Sequence, residues 1–171
     1  MHDISELAVD LDRDLFLREL LRQLSGTLEE VVGLEEAEGY ISVVGRAIGR
    51  QLDARYRQAL GAERLDRERI AAVLVDLKRR IRGGFRLHAI EGSRIVLTNT
   101  ACPFGDKVID RPSLCMMTMN VFGTIAAQNN GQARVDITQA IARGDSGCRV
   151  VVDLSVGGEA SASARDFFRT P

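Results

Sequence analysis

Apolar residues recur every three or four positions along the N-terminal half of the chain. Between Asp12 and Val32 this spacing predicts a helix with one continuous apolar stripe, which includes Leu17 and Leu21, and Gly33 as its stop. The same period resumes over residues 34–60 and predicts a second helix. A third helix is predicted after Asp66, a residue type that favours the N-cap position, and it ends at the glycine pair 83–84.

The second helix carries two glycines, Gly45 and Gly49, four residues apart on one face. Each glycine costs up to about 1 kcal/mol relative to alanine in a helix interior, so a close contact is expected to compensate. Another helix, a ligand or a second subunit could make that contact. We predict a dimer face that combines the stripe of the first helix with these glycines, formed by Leu17, Leu21, Gly45 and Gly49.

The period changes to alternation after residue 84. Residues 85–90 and 94–100 predict one β-hairpin, and residues 133–139 and 148–154 predict a second. A helix from Pro112 to Asn130 lies between them, with Gly131 as its stop. The predicted fold class is therefore α+β, with N-terminal helices packed on a small antiparallel sheet.

The domain prediction follows from this order of elements. We expect one domain over residues 1–156, with a helical part at 10–82 and a helix-covered sheet at 85–155. The Gly/Ser/Ala-rich segment 157–171 lacks a clear period and is predicted to be a flexible tail.

Composition narrows the choice of partners and compartment. The 171 residues are 45% hydrophobic and 27% charged, with a net charge of −1, which is typical of a globular protein without a general attraction to nucleic acid. A nucleic-acid partner is therefore not expected. A membrane partner is not expected either, since no apolar run approaches the roughly 18 residues of a spanning helix. The acidic start lacks the pattern of a secretory signal, and we expect a cytoplasmic protein.

Three cysteines are the main candidates for chemistry, and an odd number in a reducing compartment argues against a disulfide framework. Cys102 follows a predicted strand, Cys115 lies in the first turn of a predicted helix, and Cys148 opens a predicted strand, so all three can meet at one end of the sheet. The helix dipole would lower the thiol pKa of Cys115 and favour a metal-binding thiolate. Asp106 or Asp145 could supply a fourth metal ligand. Buried core thiols are the alternative, because free cysteine also behaves as a small hydrophobe.

Other residues near the cysteines have simpler interpretations. Phe104, Met116, Met119 and Phe122 are predicted to line a ligand pocket, although helical spacing also suits a core role for the methionines. The basic segment 78–86 is expected to be a solvated helix end. No phosphate loop, nucleophile elbow or paired-carboxylate motif is present, so catalysis is unsupported.

Three motifs together carry a resemblance to a known family: "CPFG" from Cys102, "PSLC" from Pro112 and "GDSGCR" from Gly144. The chain resembles the methanogen output domain, a regulatory module found alone or attached to signalling proteins such as sensor kinases. More distantly, the C-terminal half is similar to ligand-sensing domains of the four-vinyl-reductase type, which have a small-molecule pocket beside a zinc site. A second cysteine that those domains carry shortly before the last one is missing here. The likeness implies zinc as a cofactor. The arrangement of three cysteines also resembles three-thiolate iron–sulfur sensing in certain repressors, which implies an iron–sulfur cluster as the other possible cofactor.

We therefore expect a non-enzymatic cytoplasmic sensor module that binds a small ligand or a metal-containing cofactor near the three cysteines. Its state would be relayed through dimeric N-terminal helices to a partner such as a sensor kinase or another signalling protein. Two alternatives remain: a cysteine-dependent reductase or hydrolase that uses Cys115 as its activated thiol, and a structural adaptor with core thiols.

Overall fold

Helices and one antiparallel sheet build the part of the chain that the computed structural model describes, which comprises residues 8–155, 157 and 160–170. The helices are α1 (Arg13–Val32), α2 (Leu34–Leu60), α3 (Arg67–Arg80) and α4 (Cys115–Asn130). The strands are β1 (Arg86–Glu91), β2 (Arg94–Asn99), β3 (Gln132–Gln139), β4 (Cys148–Asp153) and β5 (Arg165–Phe168). The predicted α+β fold class is confirmed.

Local chemistry sets the helix ends where the sequence predicts them. Asp12 and Asp66 each accept a backbone N–H bond of 2.8 Å from the residue three positions on, which caps α1 and α3. Gly33, with φ of +86°, ends α1, and Gly131, with φ of +98°, ends α4. A short 3₁₀ turn at Pro112–Leu114 precedes α4, so the α-helix itself begins at Cys115.

The sheet order is β1-β2-β4-β3-β5, and every neighbouring pair is antiparallel. β1–β2 and β3–β4 are the two predicted hairpins, joined at the centre by the pairing of β2 with β4. β5 adds a strand at the β3 edge, where the sequence predicts a flexible tail. That prediction is wrong for residues 165–168, because a four-residue strand is too short to show a period and depends on pairing with β3.

The core lies between the sheet and α4. Phe122 and Ile125 of α4 are fully buried, as are Leu97 and Val150 at the centre of the sheet. α2 packs along another side of α4, so that α4 is buried almost all round. β5 contributes through Phe167, whose ring lies against Gly123; a Cβ at that glycine would be only 2.2 Å from the ring.

Two predicted members of the dimer face lie inside this packing. An added Cβ at Gly45 would be 2.8 Å from the Cβ of Asn120, and one at Gly49 would be 2.8 Å from the Cβ of Thr124. The missing side chains therefore let α2 approach α4 of the same chain. The prediction that Gly45 and Gly49 face a second subunit is wrong, and another helix makes the close contact that the sequence requires.

The stripe on α1 behaves differently, because its side chains stay exposed. Leu17 is 48% exposed and Leu21 is 41% exposed, although both follow the helical spacing of a buried face. Leu24 of α1 and Val43 and Val44 of α2 are also exposed. None of the helices among the described residues is long and apolar enough to cross a membrane.

Candidate functional site

All three cysteines line one cavity at the end of the sheet. Cys102 lies in the loop after β2, Cys115 is the first residue of α4, and Cys148 is the first residue of β4. Each is half-buried and carries a free thiol. Apolar side chains make up most of the remaining wall, including Phe85, Phe104, Val108, Leu114, Ile137 and Val150.

The cavity is small. The space open to the centre of a water-sized sphere is about 30 Å³. One water molecule requires roughly 10–15 Å³ of such space, so the cavity in this conformation holds a very small group or a few waters. A larger ligand would require the surrounding loops to move outward.

A buried asparagine holds the cysteine loops together. Asn99, at the end of β2, is 3% exposed. Its Oδ1 accepts a bond of 2.9 Å from the backbone N–H of Cys148, and its Nδ2 donates to the carbonyl of Ala101 at 3.0 Å. One side chain thus ties the loop that carries Cys102 to the start of β4. No sequence motif singles out Asn99, and its local signal is its position at a strand end.

The "GDSGC" motif has a structural explanation beside Asn99. A Cβ at Gly147 would lie 2.3 Å from the carbonyl oxygen of Asn99, so only glycine fits there. Asp145 accepts a bond of 2.7 Å from the backbone N–H of Ala140 through its Oδ2, which closes the loop between β3 and β4. Asp145 therefore already has a structural role in the loop.

A buried lysine lies next to this site, in the segment 78–86 that the sequence predicts to be solvated. Lys78 of α3 is 4% exposed, and its Nζ donates to the hydroxyl of Thr118 at 2.6 Å. The ammonium lies 5.4 Å from the ring centres of both Phe85 and Phe122, within cation–π range. No carboxylate of the described residues forms an ion pair with it.

Burial controls the ionisation of this group of side chains. It lowers the pKa of Lys78 to about 8, and the nearby thiols of Cys102, Cys148 and Cys115 offset part of that effect. Burial raises the pKa of Cys115 to about 12, with the other two thiols adding to the rise. The pKa of Cys102 is also raised, chiefly by burial.

The expected activation of Cys115 is therefore wrong in direction. A lowered pKa requires free N–H groups at the helix start, but the 3₁₀ turn at Pro112–Leu114 precedes Cys115 there. The N–H of Cys115 points to the carbonyls of Pro112 and Ser113, and desolvation outweighs any dipole effect. Cys115 carries a protonated thiol at neutral pH.

The donor set does not fit a metal ion as it is arranged. Within residues 8–155, 157 and 160–170, no group of three or more His, Cys, Asp or Glu side chains could hold one. Asp106 and Asp145, the predicted fourth ligands, are both exposed. The buried cation nearest the thiols, Lys78, would also repel a metal ion.

The predicted ligand-pocket residues separate into different places. Phe104 lines the cysteine cavity. Met119 and Phe122 belong to the main core, and Met116 lines another groove between α2 and β5. Helical spacing brings these α4 residues near Cys115 along the chain, but they face other sides of the helix.

Comparisons with known proteins first give the class of the molecule. The family model that matches residues 20–153 is described as methanogen output domain 1, and this description indicates a regulatory output module. The chain belongs to the methanogen output domain 1 family. The likeness to domains of the four-vinyl-reductase type stays a prediction.

A solved structure has the same general fold. The chain is similar to a trafficking protein particle complex subunit 3 from Naegleria fowleri, a crystal structure in which that protein is covalently bound to palmitic acid. The match has a TM-score of 0.55 at 12% identity and covers 81% of this chain and 95% of the other. At this identity the likeness concerns the fold alone. No curated protein matches the sequence.

Proposed function

We propose that this chain is a non-enzymatic regulatory module that senses a small ligand at the cavity lined by Cys102, Cys115 and Cys148. The observation that best supports this proposal is that three separate segments bring their thiols to one mainly apolar cavity, near the buried ammonium of Lys78. A buried ammonium without a carboxylate partner lowers the stability of the fold, so we expect this charge to serve a function. Lys78 does not line the cavity itself, but Thr118, which accepts its hydrogen bond, does. A ligand that accepts a hydrogen bond from the Thr118 hydroxyl would therefore lie close to the ammonium and use its charge.

The chemistry of the wall defines the class of ligand. Phe104, Val108 and Leu114 offer apolar contact, and thiols are weak hydrogen-bond donors. The Thr118 hydroxyl accepts from Lys78, which leaves its own O–H to donate to a ligand. These features suit a small apolar molecule with one acidic or accepting oxygen. Short carboxylic acids and phenols have this combination.

The loop that forms the cavity is bound directly to α1, which gives a route for the signal. Arg22 donates to the carbonyl of Ile109 at 2.7 Å, and Glu29 accepts from the hydroxyl of Ser113 at 2.5 Å. Both partners belong to the segment 105–114, which lies between Cys102 and Cys115. A ligand that moves this segment outward would therefore pull on α1.

The exposed stripe of α1 then transmits the change as an interface between two copies. Leu17 and Leu21 supply its centre, and a two-fold pairing would bury the same stripe on both subunits. A sensor kinase or another signalling protein is the alternative partner for the same stripe.

The test is ligand binding by calorimetry and thermal shift, with hexanoate and phenol as probes. We expect at least one probe to bind and raise the melting temperature. Lys78→Met should weaken binding several-fold, because it removes the positive charge that polarises the Thr118 hydroxyl at the cavity wall. Met119→Leu is the matched control, because Met119 is buried on the same helix as Cys115 but does not line the cavity.

Three outcomes would contradict this proposal. The first is that neither probe binds and no small molecule remains with the purified protein in native mass spectrometry. The second is that Lys78→Met binds the probe as tightly as the wild type. The third is that Met119→Leu weakens binding as much as Lys78→Met. Stoichiometric iron, zinc or acid-labile sulfide after anaerobic purification would favour the metal-cofactor alternative instead. Unchanged binding with only lower stability in Cys148→Ser would favour core thiols.

The trafficking subunit's bound palmitic acid makes an acyl chain a useful further probe. Palmitate is much larger than the present cavity, so its binding would require the segment 105–114 to open. Protection of amides in this segment from hydrogen exchange would change on binding if that occurs.

A further inference from the structure

A second groove lies between α2, α4 and β5 and shares no lining residue with the cysteine cavity. It has a volume of about 380 Å³. A neighbouring depression of about 280 Å³ continues from it and shares Arg50, Gln128 and Thr170 with it. Grooves of this combined size are typical of sites for small organic ligands.

Arginines dominate the charge of this groove. Arg46 and Arg50 lie four residues apart on one face of α2, and Arg165 and Arg169 come from the segment around β5. No carboxylate among the described residues lies within ion-pair distance of these four side chains. On a chain with a net charge of −1, this is a local excess of positive charge.

The two carboxylates beside the groove already have partners. Asp53 is bound by Arg57 at 2.9 Å and by the side-chain amide of Asn129 at 2.6 Å. Asp166 pairs with Arg134 through both of its oxygens, at 2.6 Å and 3.0 Å. Neither carboxylate is therefore available to neutralise the groove arginines.

A buried amide contacts one of the arginines. Asn120 of α4 is 2% exposed, and its Nδ2 donates to the hydroxyl of Ser42 at 2.9 Å and to the carbonyl of Met116 at 2.8 Å. These bonds determine which end of the amide faces the groove. Its Oδ1 accepts a long hydrogen bond of 3.4 Å from a terminal nitrogen of Arg46.

One exposed aromatic side chain also lines the groove. Phe168 is 63% exposed, whereas Phe167 and Met116, which line the groove too, are buried in the core. A guanidinium group can donate two parallel hydrogen bonds to the oxygens of a phosphate, and an exposed aromatic ring can stack on a planar base. The groove thus combines the two kinds of contact that a nucleotide requires.

We propose that this groove binds a nucleotide, with its phosphates on Arg46, Arg50 and Arg165 and its base against Phe168. The proposal is independent of the sensing function at the cysteine cavity. β5, which pairs with β3, contributes Arg165 and Phe168 to this groove.

Isothermal titration calorimetry with ATP and GTP tests the proposal, and adenosine and tripolyphosphate separate the base from the phosphates. We expect at least one nucleotide to bind more tightly than tripolyphosphate, and adenosine alone not to bind. Arg46→Gln or Arg50→Gln should each weaken nucleotide binding about tenfold or more. Phe168→Ala should reduce the affinity to that of tripolyphosphate.

Arg55→Gln is the matched control, since Arg55 is exposed on the same helix but lines a different depression. Circular dichroism of each variant confirms that the fold is retained. The proposal is overturned if neither nucleotide binds at millimolar concentration, or if Arg55→Gln weakens binding as much as the groove variants. Equal affinities for tripolyphosphate and the nucleotides, or binding of adenosine alone, would also overturn it.

Discussion

Lys78 shows how a single buried residue determines the character of the cysteine cavity. Its ammonium has one hydroxyl partner, Thr118, and two aromatic rings in place of a carboxylate. Cation–π contacts and one hydrogen bond replace only part of the lost hydration, which is why the pKa falls to about 8. The residue is therefore destabilising when charged, and this consequence can be measured.

We predict that stability rises with pH because of Lys78. Its pKa is about 8 in the folded chain and near 10.5 when exposed, so between these values the unfolded state binds more protons. Unfolding free energy should increase by about 1 kcal/mol from pH 7 to 9 relative to Lys78→Met. Urea unfolding at several pH values measures this difference. Above pH 9 the raised pKa of Cys115 acts in the opposite direction, since unfolded thiols ionise first.

The other lysine provides the control. Lys107 is only partly buried and pairs with Glu19 at 3.0 Å, so Lys107→Met should keep the rise between pH 7 and 9. A rise that persists unchanged in Lys78→Met would show that Lys78 is not its source.

At the scale of elements, the contact between α2 and α4 leaves little room for added side-chain atoms at Gly45 and Gly49. Gly45 and Gly49 bring the two helices close together, and Asn120 and Thr124 of α4 fill the space where side chains would be. Gly39, earlier on α2, has no atom within 4 Å of an added Cβ. The same substitution at the two kinds of position should therefore have opposite effects.

We predict that Gly45→Ala lowers the unfolding free energy by about 1–3 kcal/mol, because an added methyl group overpacks the helix interface. Gly39→Ala should raise it by up to about 1 kcal/mol through helix propensity alone. Urea unfolding of both variants checks the pair. Equal effects at the two positions would contradict the close approach of α2 to α4.

The molecule as a whole has two faces with different chemistry. One end of the sheet carries the cysteine cavity, and the segment that forms it is bonded to α1. The outer side of α1 carries the leucine stripe, whose members Leu17 and Leu21 are 48% and 41% exposed. Under the proposed function, a change at the cavity would reach this surface through α1.

We predict a homodimer that depends on this stripe. Leu17→Glu combined with Leu21→Glu should convert the protein to a monomer, because four like charges would meet across a two-fold interface. Size-exclusion chromatography with light scattering over a range of concentrations measures the change. Leu60→Glu, at an exposed position at the end of α2, should leave the dimer intact. A wild-type protein that stays monomeric at high concentration would contradict the prediction.

Much of the fold follows from local patterns. Asp12, Asp66, Gly33 and Gly131 end or begin helices through bonds within a few residues, so the sequence predicts these boundaries correctly. Alternation likewise predicts both hairpins. The strand β5 was missed because its four residues are ordered by β3 and by the ring of Phe167 on Gly123, both distant in sequence.

The candidate site divides in the same way. By itself the sequence determined the helices and the hairpins, and it placed each cysteine next to the end of a strand or the start of a helix, because periodicity is a local property. Only the tertiary structure decided that Lys78 is buried beside the thiols, that Cys115 is protonated, and that Gly45 and Gly49 face α4. Burial, pKa and close approach depend on which segments meet, and no local pattern in the chain contains that information.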